Sequence, residues 1–554
     1  MSAHPDRWDA HLPAQSRRAL FFEIPPFPGR RLKEFVRLDD NADAQPTRAE
    51  CIAAAREERV GGAYWASQPD VPPAYLLVRS RAALSACSAL VERHGRVLLW
   101  VASDPPSHTP TIVGRCDPWH MLKGAQALVC EADDEVRSIA SLLGIVTYIV
   151  DPLGGAPRLC EAEAGDLLEQ AFPVEASFAG PFGGQAINLI ELIQLCGFWR
   201  SLIDANRPIS GGVGFAFWKQ ASVLPLLWDG GPSAGFFDPL AKEDLSGSVA
   251  IWRAKTSPAV IDRLERRGTS TVEVEDGFLR SNGLGADCIP PLSITVDYLG
   301  PYFDPAQPSE LENLLEHGRF DPPLIARARR LRGAIVSAGL GKYDRGDVIL
   351  DRFDEARRHI LVAGQVADDR SILTGGSGLT SNLELLQRVR AREPDAYLIY
   401  KPHPDVVAGH RKGHIADQFI RQFADMVVTD ASISSLIAMV DEVHVNTSLA
   451  GFEALMRNKD VTTYGVPFYA GWGLTRDLGP VPARRTAKRS IDELVAATLL
   501  QYPRYLDPVT GLPCPAEVVV DRLAAPDQQP MGTLVRLRRW QGQLKRRLTM
   551  WGAA

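Results

Sequence analysis

The stretch HILVAGQVADDRSILTGGSGLTSNLELLQRVRAREPDAYLIYKPHPD (359–405) decides the fold class. It opens on the apolar run HILVA and closes on a second, AYLIY (396–400), before KPHPD. Apolar runs this short, bounded by Gly and Pro, read as strands buried on both faces. Between them, LTSNLELLQRVRAREP (379–394) has the apolar spacing of a helix. Strand, helix and strand in that order make a parallel α/β unit. Polar residues gather directly after each strand, where ligands collect in open α/β sheets.

The same alternation extends outward in both directions. Strand-like runs recur at RVLLWVAS (96–103), ALVCEA (127–132), GIVTYIVD (144–151), SVAIWRA (248–254), STVEVED (270–276) and EVHVNTS (442–448). Two α/β sheets in succession, facing each other across a cleft, suit residues 185–510. The Pro/Gly-rich stretch FPVEASFAGPFGGQ (172–185) reads as a boundary. WDGGPSAGFFDP (228–239) is a second boundary or a long loop. The expected division is an N-terminal α/β region over 1–180, two Rossmann-type lobes over 185–345 and 346–510, and an extension over 511–554. At 554 residues the chain is too long for one core.

Bulk properties exclude several classes. The net charge of -6 gives no footprint for nucleic acid. No run of about 18 apolar residues is present, so no membrane-spanning helix is expected. The opening MSAHPDRWDAHLPAQSRR lacks the apolar stretch of a secretory signal. The eight cysteines, at 51, 87, 116, 130, 160, 196, 288 and 514, form no CxxC pair. They read as reduced, mostly buried thiols of a cytoplasmic protein.

An internal echo links two distant segments. DPWHMLKGAQALVCEADDEVRSIASLLGIVTYIVD (117–151) and SSLIAMVDEVHVNTSLAGFEALMRNKDVTTYG (434–465) both read as helix, strand, loop, helix, strand. Either this is the common look of α/β units, or residues 1–180 hold a decayed copy of the downstream fold. The loops differ in charge. The downstream one carries Thr447 and Ser448 where a helix begins; the upstream one carries Glu131, Asp133 and Asp134. Hydroxyls at a helix N-terminus suit a phosphate, and carboxylates repel it. The N-terminal region is therefore expected to bind no nucleotide.

Four polar segments lie next to strand ends: 275–312, beginning EDGFLRS; GQVADDRSILTGGSG (364–378); KPHPD (401–405); and TSLAGFEAL (447–455), followed by YGVPFYAGWGLT (464–475). Each alone has a bland explanation. EDG is a turn with Gly277 at positive φ, DD with GGSG a solvated loop, KPHP a rigid surface turn, and TS a helix cap. Together they point to one site.

EDGFLRS (275–281), PPLS (290–293), YFDP (302–305), GQVADDRSI (364–372), KPHPD, TSLAGFEAL and YGVPFYAGWGLT resemble, in order and spacing, the bacterial capsular polysaccharide β-Kdo transferases of the KpsC family. The likeness runs from about 210, near GFAFWK, to about 510, and is much weaker over 1–180. It implies a GT-B-like enzyme that uses CMP-Kdo as donor substrate and needs no cofactor. It also implies an acceptor-side lobe over 185–345, a CMP-sugar lobe over 346–510, and retention of anomeric configuration. Retention by two inversions needs a carboxylate at the anomeric carbon. The motif match puts that nucleophile on Asp369. From the residues alone Asp368 and Asp369 are equal candidates, since an extended segment turns only one of two neighbours toward the sugar.

The remaining roles follow from the same match and from the chemistry of the groups. Lys401, His403, Thr447 and Ser448 are candidates for the departing phosphate, and His403 is also a candidate for the transferred sugar. Glu453 is a ribose or base ligand, or simply a first-turn acid. Gln365 and Ser371 belong to the nucleotide-side loop. Arg280, preferred, and Arg370 are candidates for the Kdo carboxylate. Glu275 and Asp276 are candidates for acceptor hydroxyls or for the base. No spacing calls for a metal, and His403, His410 and His414 are too loosely placed for zinc.

The tail TLVRLRRWQGQLKRRLTMWGAA (533–554) is a basic amphipathic segment. It lies on an anionic membrane surface, which suits a lipid-linked acceptor and a peripheral place on the inner face of the cytoplasmic membrane, or it packs on the protein. The expected partners are CMP-Kdo, a lipid-linked or glycan acceptor and capsule assembly proteins. Two rival readings stand beside this one: a transferase for another CMP-ulosonic acid or a lipopolysaccharide-type acceptor, and a non-catalytic capsule assembly or export partner.

Overall fold

The short apolar runs become strands in the computed structural model, which describes residues 21–38, 45–103, 109–150, 158–159, 164–241, 247–281, 289–341, 352, 354, 356–409 and 411–525. The basic tail over 533–554, His410 and two of the cysteines, Cys160 and Cys288, lie outside the described residues. The other six cysteines are buried free thiols.

The chain forms two units. The first takes in the N-terminal part to Pro26, Leu32–Ala205 and Asp229–Gly231; the second takes in Phe27–Arg31, Asn206–Trp228 and the chain from Pro232 onward. In the first, β1 (Tyr75–Val78), β2 (Val97–Val101), β3 (Thr111–Val113), β4 (Ala125–Cys130), β5 (Val146–Ile149) and β6 (Arg158–Leu159) make one sheet. Its order is β3-β2-β1-β4-β5-β6. All pairs are parallel except β5–β6. Helices α1 (Pro118–Leu122) and α2 (Val136–Leu143) flank β4 in sequence.

The sequence boundary at 180–185 falls inside this first unit. The reason is α3 (Leu189–Asn206), whose Leu192, Ile193, Cys196, Trp199 and Ile203 are buried at helical spacing. It also brings Arg200 to Asp117, 2.6 Å away, with the two side chains 3% and 0% exposed. Asp117 caps α1 as well, accepting from Trp119 N at 3.0 Å. Removing one partner of a buried pair strands the other charge, at a cost of about 3–5 kcal/mol. Arg200→Ala is expected to destabilise the chain on that scale in chemical denaturation. A change below about 1 kcal/mol would show that water reaches Asp117.

The second unit holds two α/β lobes. The chain lays down β7 (Ile209–Val213), β8 (Ser248–Ile251), β9 (Thr271–Asp276) and β10 (Ser293–Asp297). It then builds a second sheet from β11 (His359–Ala363), β12 (Tyr397–Lys401), β13 (Met426–Val427), β14 (Glu442–Val445), β15 (Asp460–Thr463) and β16 (Arg476–Asp477). Finally it returns to the first lobe with β17 (Pro503–Leu506) and β18 (Pro513–Cys514). The second lobe's order is β13-β12-β11-β14-β15-β16, all parallel. Central β11 is buried at all five residues, as a parallel strand covered on both faces must be.

The first lobe departs from a wholly parallel Rossmann sheet. Only β7, β8 and β9 are parallel; β10, β17 and β18 add on antiparallel. The turn-back starts at Gly277, whose N–H donates to Ser293 O at 3.0 Å. Gly277 is not among the positive-φ residues. It is glycine because a Cβ there would lie 2.2 Å from Ser293 Oγ. EDG and PPLS are thus two sides of one close backbone approach.

Candidate active site

The site grows from the carboxyl ends of β9, β11, β12 and β14. After β11 the chain runs through GQVADD into α5 (Arg370–Gly375), a helix capped by Asp369. Asp369 Oδ1 accepts from Ser371 N at 3.0 Å and from Ser371 Oγ at 2.8 Å. Asp368 turns the other way, exposed, with one oxygen 3.2 Å from Arg411. The two neighbouring carboxylates therefore have different surroundings, because Asp368 lies in a turn closed by Asp369 N donating to Val366 O at 3.1 Å while Asp369 caps the helix that follows.

A hydrogen-bond chain holds Asp369 in place. Gln365 Nε2 donates to Thr447 Oγ1 at 3.0 Å, and Gln365 Oε1 accepts from Thr447 N at 2.9 Å. Thr447 Oγ1 lies 3.4 Å from Ser371 Oγ, which reaches Asp369. Gln365 is itself clamped by Asn382, the first residue of α6 (Asn382–Arg392), through both its N–H and its carbonyl oxygen at 2.9 and 2.7 Å. The loop after the first strand of this sheet is thus tied to the loop after the fourth. Buried polar groups bonded at this density rigidify one another.

Thr447 is accordingly occupied in the scaffold, while Ser448 caps α9, Leu449–Met456, accepting from Ala450 N at 3.3 Å. Glu453 lies one turn into that helix and is 4% exposed. YGVP packs on the TGGSG loop: Val466 N donates to Gly375 O at 2.8 Å. A Cβ on Gly465 would lie 2.5 Å from that oxygen and 2.4 Å from Asn446 Oδ1, so a side chain is excluded there.

At the end of β12, Lys401 is buried with Nζ 3.3 Å from Thr429 O. His403 caps α7 (Pro404–Val407), and its Nδ1 accepts from Asp405 N at 3.1 Å. In the neutral ring that bond puts the proton on Nε2 and makes it the donor.

From the other lobe, β9 delivers Glu275 and Asp276. Arg370 reaches across to Glu275 at 2.9 Å and to Glu273 at 3.7 Å, its guanidinium 4.9 Å from the Phe303 ring centre. Burial pushes the Glu275 carboxyl up to about 7; Arg370 pulls it down and Asp276 pushes it up, without cancelling that effect. Asp276 sits between two cations, Lys219 at 3.1 Å and Arg280 at 3.0 Å. Lys219, on α4 (Phe217–Leu227), also lies 3.4 Å above the Trp252 ring. Burial lowers the Lys219 ammonium pKa, and Asp276 opposes this. Asn382, Lys219 and Trp252 are site-forming residues missed in the sequence; GFAFWK was the only signal for Lys219.

The sequence preference for Arg280 over Arg370 as the carboxylate reader meets a physical obstacle. Arg280 is 1% exposed and is engaged by Asp276, by Ser281 Oγ at 2.7 Å and by Ile289 O at 3.0 Å. It positions Asp276. Arg370 keeps 27% of its side chain exposed and is the better placed of the two.

Among the described residues, Glu393, Glu442 and His444 bring possible metal-ligand atoms within 4.8 Å of one another. Arg358 already pairs with both carboxylates, 3.0 Å from Glu442. A guanidinium therefore takes the place a cation would fill. Burial lifts the Glu442 carboxyl, but hydrogen bonds from His444 and Thr462 outweigh it and hold it at about 2.

Two α/β lobes with polar residues of both meeting at strand ends make a site of the kind that ligands occupy in open α/β sheets. Residues 248–340 and 342–505 match the family model described as capsule polysaccharide biosynthesis protein. The capsule polysaccharide modification protein LipA of Neisseria meningitidis serogroup B is 37% identical over 362 residues, covering 64% of this chain and 51% of LipA. The lipopolysaccharide-processing protein LpsZ of Rhizobium meliloti is 49% identical over 236 residues, 42% of this chain and 53% of LpsZ. A solved module of Thermosulfurimonas dismutans KpsC, titled β-Kdo 2,4 transferase, is 30% identical, with 57% of this chain and 98% of that one covered and a TM-score of 0.48. The stretch 248–505 is thus similar to capsule polysaccharide biosynthesis proteins, and 57% of the chain is similar to the solved KpsC β-Kdo transferase. It spans about half the length of the curated relatives it matches. Among its described residues no helix is long and apolar enough to cross a membrane.

Proposed function

We propose that the second unit is a retaining β-Kdo transferase that takes Kdo from CMP-Kdo and builds a Kdo linker or glycan for capsule assembly. The donor and the sugar come from the motif resemblance; the mechanism is supported by the geometry. The observation that carries it is Asp369, anchored through Oδ1 alone among the described contacts, one residue from the arginine that bridges to Glu275.

In this reading Asp369 Oδ2 attacks the anomeric carbon and the C–O bond to the CMP phosphate breaks, with the electron pair leaving on phosphate. CMP is a good leaving group and needs charge stabilisation rather than a proton. His403 Nε2, Lys401 and the Ser448 end of α9 supply it, and Glu453 holds the nucleoside. In the second step an acceptor hydroxyl attacks from the opposite side and the Asp369–sugar bond breaks. The acceptor's proton goes to Glu275, the group in the site whose affinity for a proton is raised. Arg370 reads the sugar carboxylate. A lipid-linked acceptor would bring the chain to the inner membrane surface.

The test is CMP release from CMP-Kdo generated in place, with and without a Kdo-bearing lipid-linked acceptor. Acceptor-dependent release with a Kdo-extended product supports the reading. CMP binding without release under any acceptor would move the chain to the non-catalytic partner reading.

A further inference from the structure

The sheet of the first unit repeats the strand order of the second unit's nucleotide-side sheet, 3-2-1-4-5-6 in both counting strands along the chain, with only the last pair differing, antiparallel in the first and parallel in the second. The echo between 117–151 and 434–465 falls on matching elements. Helix α1, strand β4, helix α2 and strand β5 correspond to α8 (Ile433–Met439), β14, α9 and β15. The clamp between the loops after strands one and four recurs as well, with its chemistry changed. In the second unit it is Gln365 with Thr447, uncharged. In the first unit it is Arg79 with Asp134, an ion pair at 2.9 Å.

That exchange decides what the first unit can hold. Asp134 Oδ1 accepts from Val136 N at 2.9 Å, so a carboxylate of the protein itself already covers the start of α2. Glu135 stands beside it. A phosphate would meet two acids at the place where such sheets usually receive one. Yet a cleft of about 200 Å³ remains at the carboxyl ends of β1–β3, lined by Arg79, Trp100, Gly114, Arg115, Glu135 and Ile139 among others. Arg79 lies over the Trp100 ring, 3.8 Å from its centre, and its planar guanidinium is fixed by donating to Trp100 O at 3.1 Å and to Asp134 at 2.9 Å, which makes it a rigid wall. Arg115, its side chain 56% exposed and 3.3 Å from Glu23, offers donors at the rim, while Glu135 offers acceptors.

We propose that this cleft binds a single sugar residue that carries no phosphate. Its size is below the roughly 300 Å³ of pockets for drug-sized ligands, which suits one ring and not a nucleotide. Donors and acceptors of both signs around a flat wall match a ring that presents hydroxyls at its edge and C–H groups on its face. The fold and the lining residues carry this inference; the proposed transfer reaction enters only through the choice of probe.

The experiment is titration calorimetry of the full chain with the methyl glycosides of β-Kdo and of β-galactose, each with and without saturating CMP. The variants are Ala102→Trp, which fills the cleft from an exposed lining position, and Arg115→Ala. At least one probe is expected to bind in the presence of CMP, and both variants should weaken it by about tenfold or more while CMP binding stays as in the parent. Binding of neither probe, full displacement by CMP, or affinity unchanged in both variants would overturn the site. Cleft binding that persists in a chain that neither binds nor releases CMP would leave this site standing and remove the transferase reading instead.

Discussion

Asp369→Asn should lower Kdo transfer by about 10³-fold or more and abolish any covalent sugar adduct, while leaving the fold intact. Asparagine is as good a helix cap as aspartate, so the bonds from Ser371 N and Oγ survive the exchange. What goes is the nucleophilic oxygen. Asp369→Ala removes the cap as well, at about 1 kcal/mol, and provides a stability contrast between two equally inactive variants. The neighbouring carboxylate is the internal control. Asp368 is exposed and paired at the surface with Arg411, so Asp368→Asn should change stability by less than about 1 kcal/mol and leave transfer nearly as it was. Intact-protein mass after incubation with CMP-Kdo reads the chemistry directly. A gain of one Kdo in the parent, absent from both Asp369 variants and present in Asp368→Asn, is the expected pattern. A gain that survives Asp369→Asn would assign the nucleophile elsewhere.

The contrast between Asp368 and Asp369 marks where sequence reading stops. The strands around 359–363 and 397–401 were legible because parallel strands covered on both faces carry near-continuous apolar runs, ILVA in one and YLIY in the other. The polar segments were legible as ligands' neighbours because they follow those strands. Which acid caps the helix and which is exposed was not, since the turn at Ala367–Asp368 sets it and both residues are the same type. Long-range partners were hidden too. Gln365 stood in a motif, but its use as a clamp depends on Thr447, 82 positions away. Arg280 read well as a carboxylate ligand by type; its burial against Asp276 and Ile289 comes from the antiparallel turn-back of β10, which local pattern does not encode. The extent of the first unit was missed because α3 begins right after a Pro/Gly-rich stretch, the usual mark of a boundary. Its buried face and the Arg200–Asp117 pair hold it in place nonetheless.

Glu275 offers the second large effect, and its sign can be worked out in advance. A base must be ionised to accept the acceptor's proton, and burial holds the Glu275 carboxyl near 7 rather than in the usual carboxylate range. Transfer should therefore rise as pH increases from about 6 to 8, following the ionised fraction, and level off above. Glu275→Gln should lower kcat/KM by about 10²–10⁴-fold and flatten that limb, because the amide neither ionises nor accepts a proton. Arg370→Met tests the cause of the pKa. The guanidinium 2.9 Å away favours the charged form, so its loss should move the limb to higher pH. A structural role for Glu275 alone would lower activity evenly at all pH values and leave the limb where it was. A parent enzyme without a limb near neutrality, or a Glu275→Gln variant that keeps one, would pass the role of base to another group. The limb should be read in the acceptor-dependent step rather than in adduct formation. CMP needs no proton to depart, so a pH limb confined to the second half-reaction would place the proton transfer where the chemistry requires it.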